Sequence, residues 1–168
     1  MSSAKFIRTI GALGLSLVTF VAAPAAIAPG DELPPLGAFE LEGVVPDLVG
    51  QVVLVDVWAS WCAPCKASFP AFDALQDAKG DAGLVILAVS VDQKAGAYEA
   101  FLKRLKPKFA TVRDGQQKLV AALSPPAMPT SYLFGRDGKL RSIHRGFHGD
   151  RTVETLEREI AALLEEKI

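Results

Sequence analysis

The sequence predicts an α/β fold with a mixed central sheet, helices on both faces, a C-terminal β-hairpin and an N-terminal extension. Two observations carry this prediction. The continuous apolar run 52–58 is followed by a helical stretch and a second apolar run, 84–89, which is the pattern of two parallel strands in a βαβ unit. Further along, the segments 131–134 and 140–144 flank Asp137-Gly138, a turn signal that predicts an antiparallel hairpin.

The chain begins with a segment that is typical of a targeting signal. Lys5 and Arg8 precede the uncharged apolar run Ile10–Ala23, which has the length of a signal-peptide core and leads into small residues that a leader peptidase accepts. We therefore interpret residues 1–28 as a signal peptide, which predicts export, most simply to a bacterial periplasm. The alternative is an uncleaved membrane anchor through residues 9–28, because that stretch approaches the ~20 residues of a spanning helix.

The next segment, residues 29–38, is rich in proline and is predicted to be a linker, so that the folded domain spans residues 39–168. Within this domain, Phe39-Glu40-Leu41-Glu42 alternates apolar and charged residues. This alternation predicts a short edge strand that ends at Gly43.

Helical periodicity begins at a pair of cysteines and continues to Ala78, with Pro64 in the first turn and a kink expected at Pro70. The last helix opens with Asp150, which is predicted to be its cap. The elements predicted after the first helix are a strand at 84–89, a helix at 97–105, a strand at 109–112, a helix at 116–123, the hairpin, and an amphipathic helix at 150–167.

Composition and charge exclude several classes of protein. Half of the residues are hydrophobic and 22% are charged, which is normal for a folded domain and unlike a disordered chain. Removing residues 1–28 takes away Lys5 and Arg8, which leaves 16 basic against 19 acidic residues and a net charge of −3. Because no basic excess remains, the sequence gives no indication of a nucleic-acid or anionic-membrane partner.

The two cysteines, Cys62 and Cys65, are spaced for chemistry and not for stability. By reducing the entropy of the unfolded chain, a bridge across four residues stabilises the fold by only roughly 2 kcal/mol, against ~3 kcal/mol for a fifteen-residue loop. Cys62 lies where a strand ends and a helix begins, so unpaired N–H groups and the helix dipole favour its thiolate. We expect Cys62 to be the accessible attacking thiol and Cys65 the buried thiol that resolves the mixed disulfide.

Asp56 is the third candidate catalytic residue. It interrupts an apolar strand six residues before Cys62, and a carboxyl group buried there has a raised pKa. Such a group could accept and return the proton of Cys65 through a water molecule. The alternative is an Asp56 side chain that turns outward to solvent.

The residues around the dithiol resemble the thioredoxin signature. This resemblance lies in the run 55–66, Val-Asp-Val-Trp-Ala-Ser-Trp-Cys-Ala-Pro-Cys-Lys, with Pro70 five residues beyond the second cysteine. The leader, the strand 84–92 and the run 128–138, Met-Pro-Thr-Ser-Tyr-Leu-Phe-Gly-Arg-Asp-Gly, resemble the exported TlpA/ResA-like branch of that superfamily. The resemblance implies a thioredoxin-like three-layer sandwich and a thiol-disulfide oxidoreductase that needs no cofactor.

The same resemblance implies the surroundings of the dithiol. Pro129 is expected to be a cis-proline that faces the cysteines and leaves the backbone of Met128 free to pair with a substrate strand. Trp58 and Trp61 are expected around the site. The residues expected to bind substrate are Trp61, Ala63, Pro64, Met128 and Pro129.

Similarity to TlpA-like proteins and the Ala63-Pro64 pair between the cysteines favour the reductase direction over the oxidant direction. A reductase in an oxidising compartment needs recharging, so a membrane electron donor of the DsbD type is expected, together with protein disulfides as substrates. Two positions depart from the ResA-like pattern. Ser68 stands where those haem-maturation proteins commonly have glutamate, and Asp56 where they often have asparagine. Both departures weaken an assignment to cytochrome c maturation.

Two other functions compete with this one. Cys62, Cys65, His144 and His148 include the ligand types of a zinc site, and a copper-binding or chaperone role on the same fold is a related alternative. The separation between the cysteines and histidines is far too long for a zinc finger. The last alternative is a binding module that has kept the fold and lost the chemistry.

Overall fold

The strands of the central sheet follow the apolar runs of the sequence. The computed structural model describes residues 26–167. Its strands are β1 (Glu42–Gly43), β2 (Val52–Trp58), β3 (Leu84–Ser90), β4 (Ala110–Arg113), β5 (Thr130–Phe134) and β6 (Leu140–Arg145). Its α-helices are α1 (Ala63–Lys79), α2 (Ala95–Leu105), α3 (Lys118–Leu123) and α4 (Asp150–Glu165), and short 3-10 helices occupy Leu36–Ala38 and Gly80–Ala82.

Six strands form one mixed sheet within residues 26–167, in the order β1-β4-β3-β2-β5-β6. The central strand β2 is buried along all seven residues, and it runs parallel to β3 on one side and antiparallel to β5 on the other. The predicted βαβ unit and the predicted hairpin, here β5 and β6, are both confirmed.

Helices cover both faces of the sheet, as predicted. Asp56 and Trp58 share one face of β2 because side chains alternate along a strand. Trp58 packs against Phe69 of α1 and Phe101 of α2, with ring centroids 4.9 Å and 4.5 Å away, so both helices lie on this face. On the opposite face, the Tyr132 hydroxyl donates a 3.0 Å hydrogen bond to the carbonyl of Leu123, the last residue of α3.

Several predicted boundaries differ from the structure by one to three residues, and for three of them the local reason is clear. The edge strand predicted at Phe39–Glu42 is only Glu42–Gly43, because β4 offers pairing partners to these two residues alone. The helix predicted from residue 116 begins at Lys118, where the side chain of Asp114 accepts hydrogen bonds from backbone N–H groups. Asp150 is the first helical residue of α4 and not its cap, a position that Gly149 takes with a φ of 63°.

The Pro-rich segment predicted as a linker is bonded to the hairpin. Gly30 N–H donates to the Leu140 carbonyl and Leu140 N–H to the Asp31 carbonyl, each at 2.8 Å. Ile27, which the sequence places at the end of the leader, is 9% exposed and packs within the core. The predicted leader lies almost entirely outside the described residues. Within residues 26–167 no helix is both long and apolar enough to cross a membrane.

Candidate active site

The two cysteines form a disulfide at the point where the chain passes from β2 into α1. Their Cα atoms are 5.3 Å apart. Cys62 is the N-cap of α1 and has extended backbone angles, and its Sγ accepts a 3.3 Å hydrogen bond from the N–H of Cys65. The Cys62 sulfur therefore lies among the unpaired N–H groups at the positive end of a 17-residue helix, an environment that stabilises a thiolate.

Exposure differs sharply around this disulfide. Cys65 is fully buried and Cys62 is 6% exposed, whereas the indole of the neighbouring Trp61 is 68% exposed. The order of exposure within the pair agrees with expectation. The expected openness of Cys62 is not seen in this disulfide form, because its sulfur is bonded to the buried sulfur of Cys65.

Asp56 is completely buried, so the outward-facing alternative is wrong. Its Oδ1 accepts a 2.6 Å hydrogen bond from the hydroxyl of Ser131, and its Oδ2 has no hydrogen-bond partner among the described residues. Burial raises the pKa of this carboxyl from 3.8 to about 7, and the Ser131 hydrogen bond opposes part of that rise. Asp56 therefore exchanges a proton in the neutral pH range.

Asp56 lies on the same side of the sheet as Cys65. Cys65 and Phe69 are four residues apart on α1 and both are buried, so they share the inner face of that helix. Phe69 contacts Trp58, which in turn shares its face of β2 with Asp56. The face of α1 that carries Cys65 therefore covers the face of the sheet that carries Asp56.

The peptide bond between Met128 and Pro129 is cis, as the resemblance implied. Thr130 pairs with Val57 at the carboxyl end of β2, so Pro129 lies at the sheet edge where the strand leads into the disulfide loop. Pro129 is buried and its carbonyl accepts a 2.8 Å hydrogen bond from Gly146 N–H, while Met128 is half-buried.

A hydrogen-bond network that sequence reasoning missed fixes the loop before Cys62. The carboxylate of Asp92 accepts bonds from the N–H of Ser60 at 2.9 Å and from its hydroxyl at 2.8 Å. It also accepts a 2.9 Å bond from the hydroxyl of Ser90, and it is 3% exposed. The sequence did offer one signal for Asp92. It directly follows a buried parallel strand, and functional sites of α/β folds lie at the carboxyl ends of such strands.

Trp58 belongs to the core and not to the lip of the site. It is fully buried between α1 and α2, and its ring contacts Phe69, Tyr98 and Phe101. Ser131 was the other residue that sequence reasoning missed. Its role depends on the pairing of β2 with β5, which places it directly opposite Asp56.

The metal-site alternative receives no support from the geometry. The side chain of His144 bonds to Glu159 at 2.8 Å, and that of His148 to the carbonyl of Arg145 at 3.2 Å, while the cysteines are bonded to each other. Within residues 26–167, no three His, Cys, Asp or Glu side chains are grouped as ligands of one metal ion.

Comparisons with known proteins agree with this chemistry. Residues 45–160 match the Redoxin family. The thiol-disulfide oxidoreductase ResA of Bacillus cereus (strain ZK / E33L) is 31% identical over 151 residues, which cover 88% of this chain and 86% of the relative. ResA of Geobacillus kaustophilus (strain HTA426) is 28% identical over 167 residues, covering 97% of this chain and 94% of that one.

Solved structures show the same fold. The crystal structure of a thiol:disulfide interchange protein DsbE from Chlorobium tepidum superposes with a TM-score of 0.76 at 34% identity. The superposition covers 83% of this chain and 99% of that one. StoA from Bacillus subtilis superposes with a TM-score of 0.58 at 28% identity, covering 67% of this chain and 84% of its own. The chain belongs to the Redoxin family within the thioredoxin superfamily, and it is a ResA/TlpA-like oxidoreductase that exchanges electrons with protein disulfides.

Proposed function

We propose that Cys62 attacks and Cys65 resolves. In the reduced protein the Cys62 thiolate attacks one sulfur of a substrate disulfide, forms a mixed disulfide and releases the other sulfur as a thiolate, which takes up a proton. Cys65 then loses its proton and attacks Cys62, which closes the bond seen in this structure and releases the second substrate thiol. Two electrons pass to the substrate and two protons go with them.

Asp56 is proposed to accept the proton of Cys65 in the second step. The observation that carries this proposal is the complete burial of its carboxyl group on the face that α1 covers, with a pKa of about 7. When the pKa of a carboxyl group lies near the working pH, a large fraction of the group is ionised and free to accept a proton. Its basicity is also high enough to take that proton from a thiol.

The surface beside Cys62 is proposed to hold the substrate as an extended segment. Trp61, just before α1, and Ala63 and Pro64 in its first turn are exposed and adjoin the cysteines in sequence. The loop before β5 reaches the same edge of the sheet. A free backbone at Met128 could pair with a substrate strand as an added β-strand does. The proposed substrate-binding residues are Trp61, Ala63, Pro64, Met128 and Pro129.

We place the protein outside the cytoplasm as a reductase, recharged by a membrane electron donor of the DsbD type. The support is the signal-like sequence of residues 1–28, the similarity to ResA and DsbE proteins, and the Ala63-Pro64 pair. If residues 9–28 are not cleaved, they tether the domain to the membrane that holds the donor. A reduction potential nearer to about −270 mV than to about −120 mV is expected for this direction.

Trapping of the mixed disulfide tests the proposed roles. In Cys65→Ser, Cys62 has no resolving partner, so covalent adducts with disulfide-containing proteins should accumulate and disappear with dithiothreitol. The matched variant Cys62→Ser keeps only the buried thiol and should form few adducts. Equal adduct formation by both variants would contradict this division of roles, and more adducts with Cys62→Ser would reverse it. An equilibrium with glutathione above about −160 mV would refute the reductase direction.

A further inference from the structure

A groove runs beside the disulfide between the start of α1 and α2. It consists of two shallow depressions of about 320 Å³ and 240 Å³, which share Ser60 and Ala97 in their walls. The first is bounded by the exposed indole of Trp61 and by Lys94. The second lies between Lys66 and Arg104. We call this feature the Trp61 groove.

The rim of the Trp61 groove is cationic. Lys66, Lys94 and Arg104 are all exposed, and within residues 26–167 none of them forms an ion pair. The guanidinium of Arg104 lies 5.4 Å from the centre of the Phe101 ring, which holds it at the groove. The acid among the lining residues is Asp92, whose two oxygens are already bonded to Ser60 and Ser90.

This concentration of unpaired positive charge contrasts with a chain whose formal net charge is −1. Ser60 and Trp61 directly precede Cys62. A substrate polypeptide bonded to Cys62 extends by about 3.3 Å per residue, so the substrate residues two or three positions from its own cysteine lie over the groove.

We propose that the Trp61 groove selects substrates in which acidic side chains flank the target disulfide. This inference rests on the proposed function and names its substrate class. The exposed face of Trp61 contacts an apolar residue next to the substrate cysteine, and Asp or Glu side chains on the same segment pair with Lys66, Lys94 and Arg104. Such pairs speed encounter and orient the segment for attack by the Cys62 thiolate.

Two synthetic peptide disulfides of equal length test this assignment. In one the cysteine is flanked by Asp and Glu, and in the other by Lys, with the same leaving thiol in both. Fluorescence of the tryptophans follows oxidation of the reduced full chain. The second-order rate constant for the acidic peptide should exceed that for the basic peptide by roughly 10-fold at about 0.02 M salt, and the ratio should fall at about 0.5 M salt.

The variant Lys66→Gln/Lys94→Gln removes one charge from each depression and no hydrogen bond seen in the structure. Its ratio of acidic to basic rate constants should fall by at least about 3-fold. The matched control Lys103→Gln/Lys139→Gln makes the same change of net charge away from the groove lining and should keep the wild-type ratio. Comparing ratios cancels any effect of Lys66 on the reactivity of the cysteines.

Each outcome is decisive. A wild-type ratio near one overturns the proposed selectivity. The same fall of the ratio in both double variants overturns the role of the groove, because the general field of the protein is then the source of the selectivity. A failure of the wild-type protein to reduce either peptide contradicts the proposed function instead. Selectivity that the Lys103→Gln/Lys139→Gln control keeps and the Lys66→Gln/Lys94→Gln variant loses supports the role of the groove.

Discussion

Asp56 is the residue at which the stability of the fold and its chemistry conflict. Its carboxyl group is fully buried and keeps one hydrogen bond, from Ser131, while the second oxygen has no partner in the described part of the chain. A buried acid in this state favours its neutral form, which explains a pKa of about 7. The same group must ionise to act as the base that we propose it to be at neutral pH.

This conflict predicts a pH-dependent gain of stability in Asp56→Asn. Between pH 3.8 and about 7 the folded chain keeps a proton that the unfolded chain has lost. The free energy of unfolding of the wild type therefore falls as the pH rises through this window, by roughly 4 kcal/mol in total. Asparagine does not titrate, so urea unfolding of the disulfide forms should show Asp56→Asn gaining roughly 2–3 kcal/mol relative to wild type between pH 5 and pH 8.

The companion variant Ser131→Ala shows whether the pH dependence of stability comes from Asp56 itself or from any substitution at this buried site. It removes the hydrogen bond that lowers the pKa of Asp56, so the pH dependence should persist with its upper limit moved to higher pH. Parallel pH profiles for wild type and Asp56→Asn would show that Asp56 ionises in both states alike, and they would remove the basis for its role as a base.

At the scale of elements, the loop between β2 and α1 is held by the end of β3. Asp92 follows β3, and its carboxylate accepts three hydrogen bonds, two from Ser60 and one from Ser90. The chain after β3 is itself held by Arg113, which donates to the carbonyls of Asp92 and Gln93 and forms an ion pair with Glu42 of β1. The edge of the sheet therefore positions the loop that leads to Cys62, the proposed attacking residue.

Asp92→Asn should loosen this loop. The amide keeps one acceptor oxygen, and its NH2 group points at a hydroxyl or an N–H group that donated to the carboxylate. The free energy of unfolding of the disulfide form should therefore fall by about 2 kcal/mol. Because Ser60 lies two residues before Cys62, the pKa of the Cys62 thiol in the reduced protein should also shift, as measured by the pH dependence of alkylation.

Arg136→Leu supplies the control for a purely structural loss. Arg136 donates to the carbonyls of Gly50 and Ala82, each at 2.9 Å, at the end of the sheet remote from the disulfide. Its loss should lower stability by a similar amount and leave the alkylation profile unchanged. If Asp92→Asn behaves in the same way, Asp92 supports the fold without positioning the cysteine.

The limits of sequence reasoning also follow from this network. The buried strands, the βαβ unit and the hairpin were predictable because apolar runs and turn residues are local signals. Cys62 and Asp56 were identified because their own neighbours in sequence create their environments. Ser131 and Asp92 act across 75 and 32 residues, respectively, so their roles depend on strand register and loop packing that no local pattern encodes.

At the scale of the whole molecule, the two ends of the sheet have different tasks. The disulfide, the cis-proline and the Trp61 groove gather where β2 ends and β5 begins. The opposite end carries the hairpin turn and residues 26–38. The sequence presented residues 29–38 as a Pro-rich linker and residues 26–28 as the end of the leader. Proline content indicates a lack of regular structure, but it does not reveal that an irregular segment packs on the edge of a sheet.

The packing of residues 26–38 predicts that they stabilise the domain. Ile27 is 9% exposed, Leu33 and Leu36 pack against the core, and the segment exchanges backbone hydrogen bonds with Leu140. A chain that starts at residue 39 loses these contacts and exposes the hairpin end of β6. Its free energy of unfolding should be lower by about 2–4 kcal/mol than that of a chain starting at residue 26.

The reduction potential separates this structural role from a catalytic one. The segment contacts the end of the sheet away from the disulfide, so both chains should reach the same equilibrium with glutathione while their urea midpoints differ. In the chain that starts at residue 26, Leu33→Ala/Leu36→Ala should show part of the stability loss, because it removes apolar packing and keeps the backbone hydrogen bonds. Equal midpoints for the two chain lengths would mean that the segment is a true linker and that residue 39 marks the start of the domain.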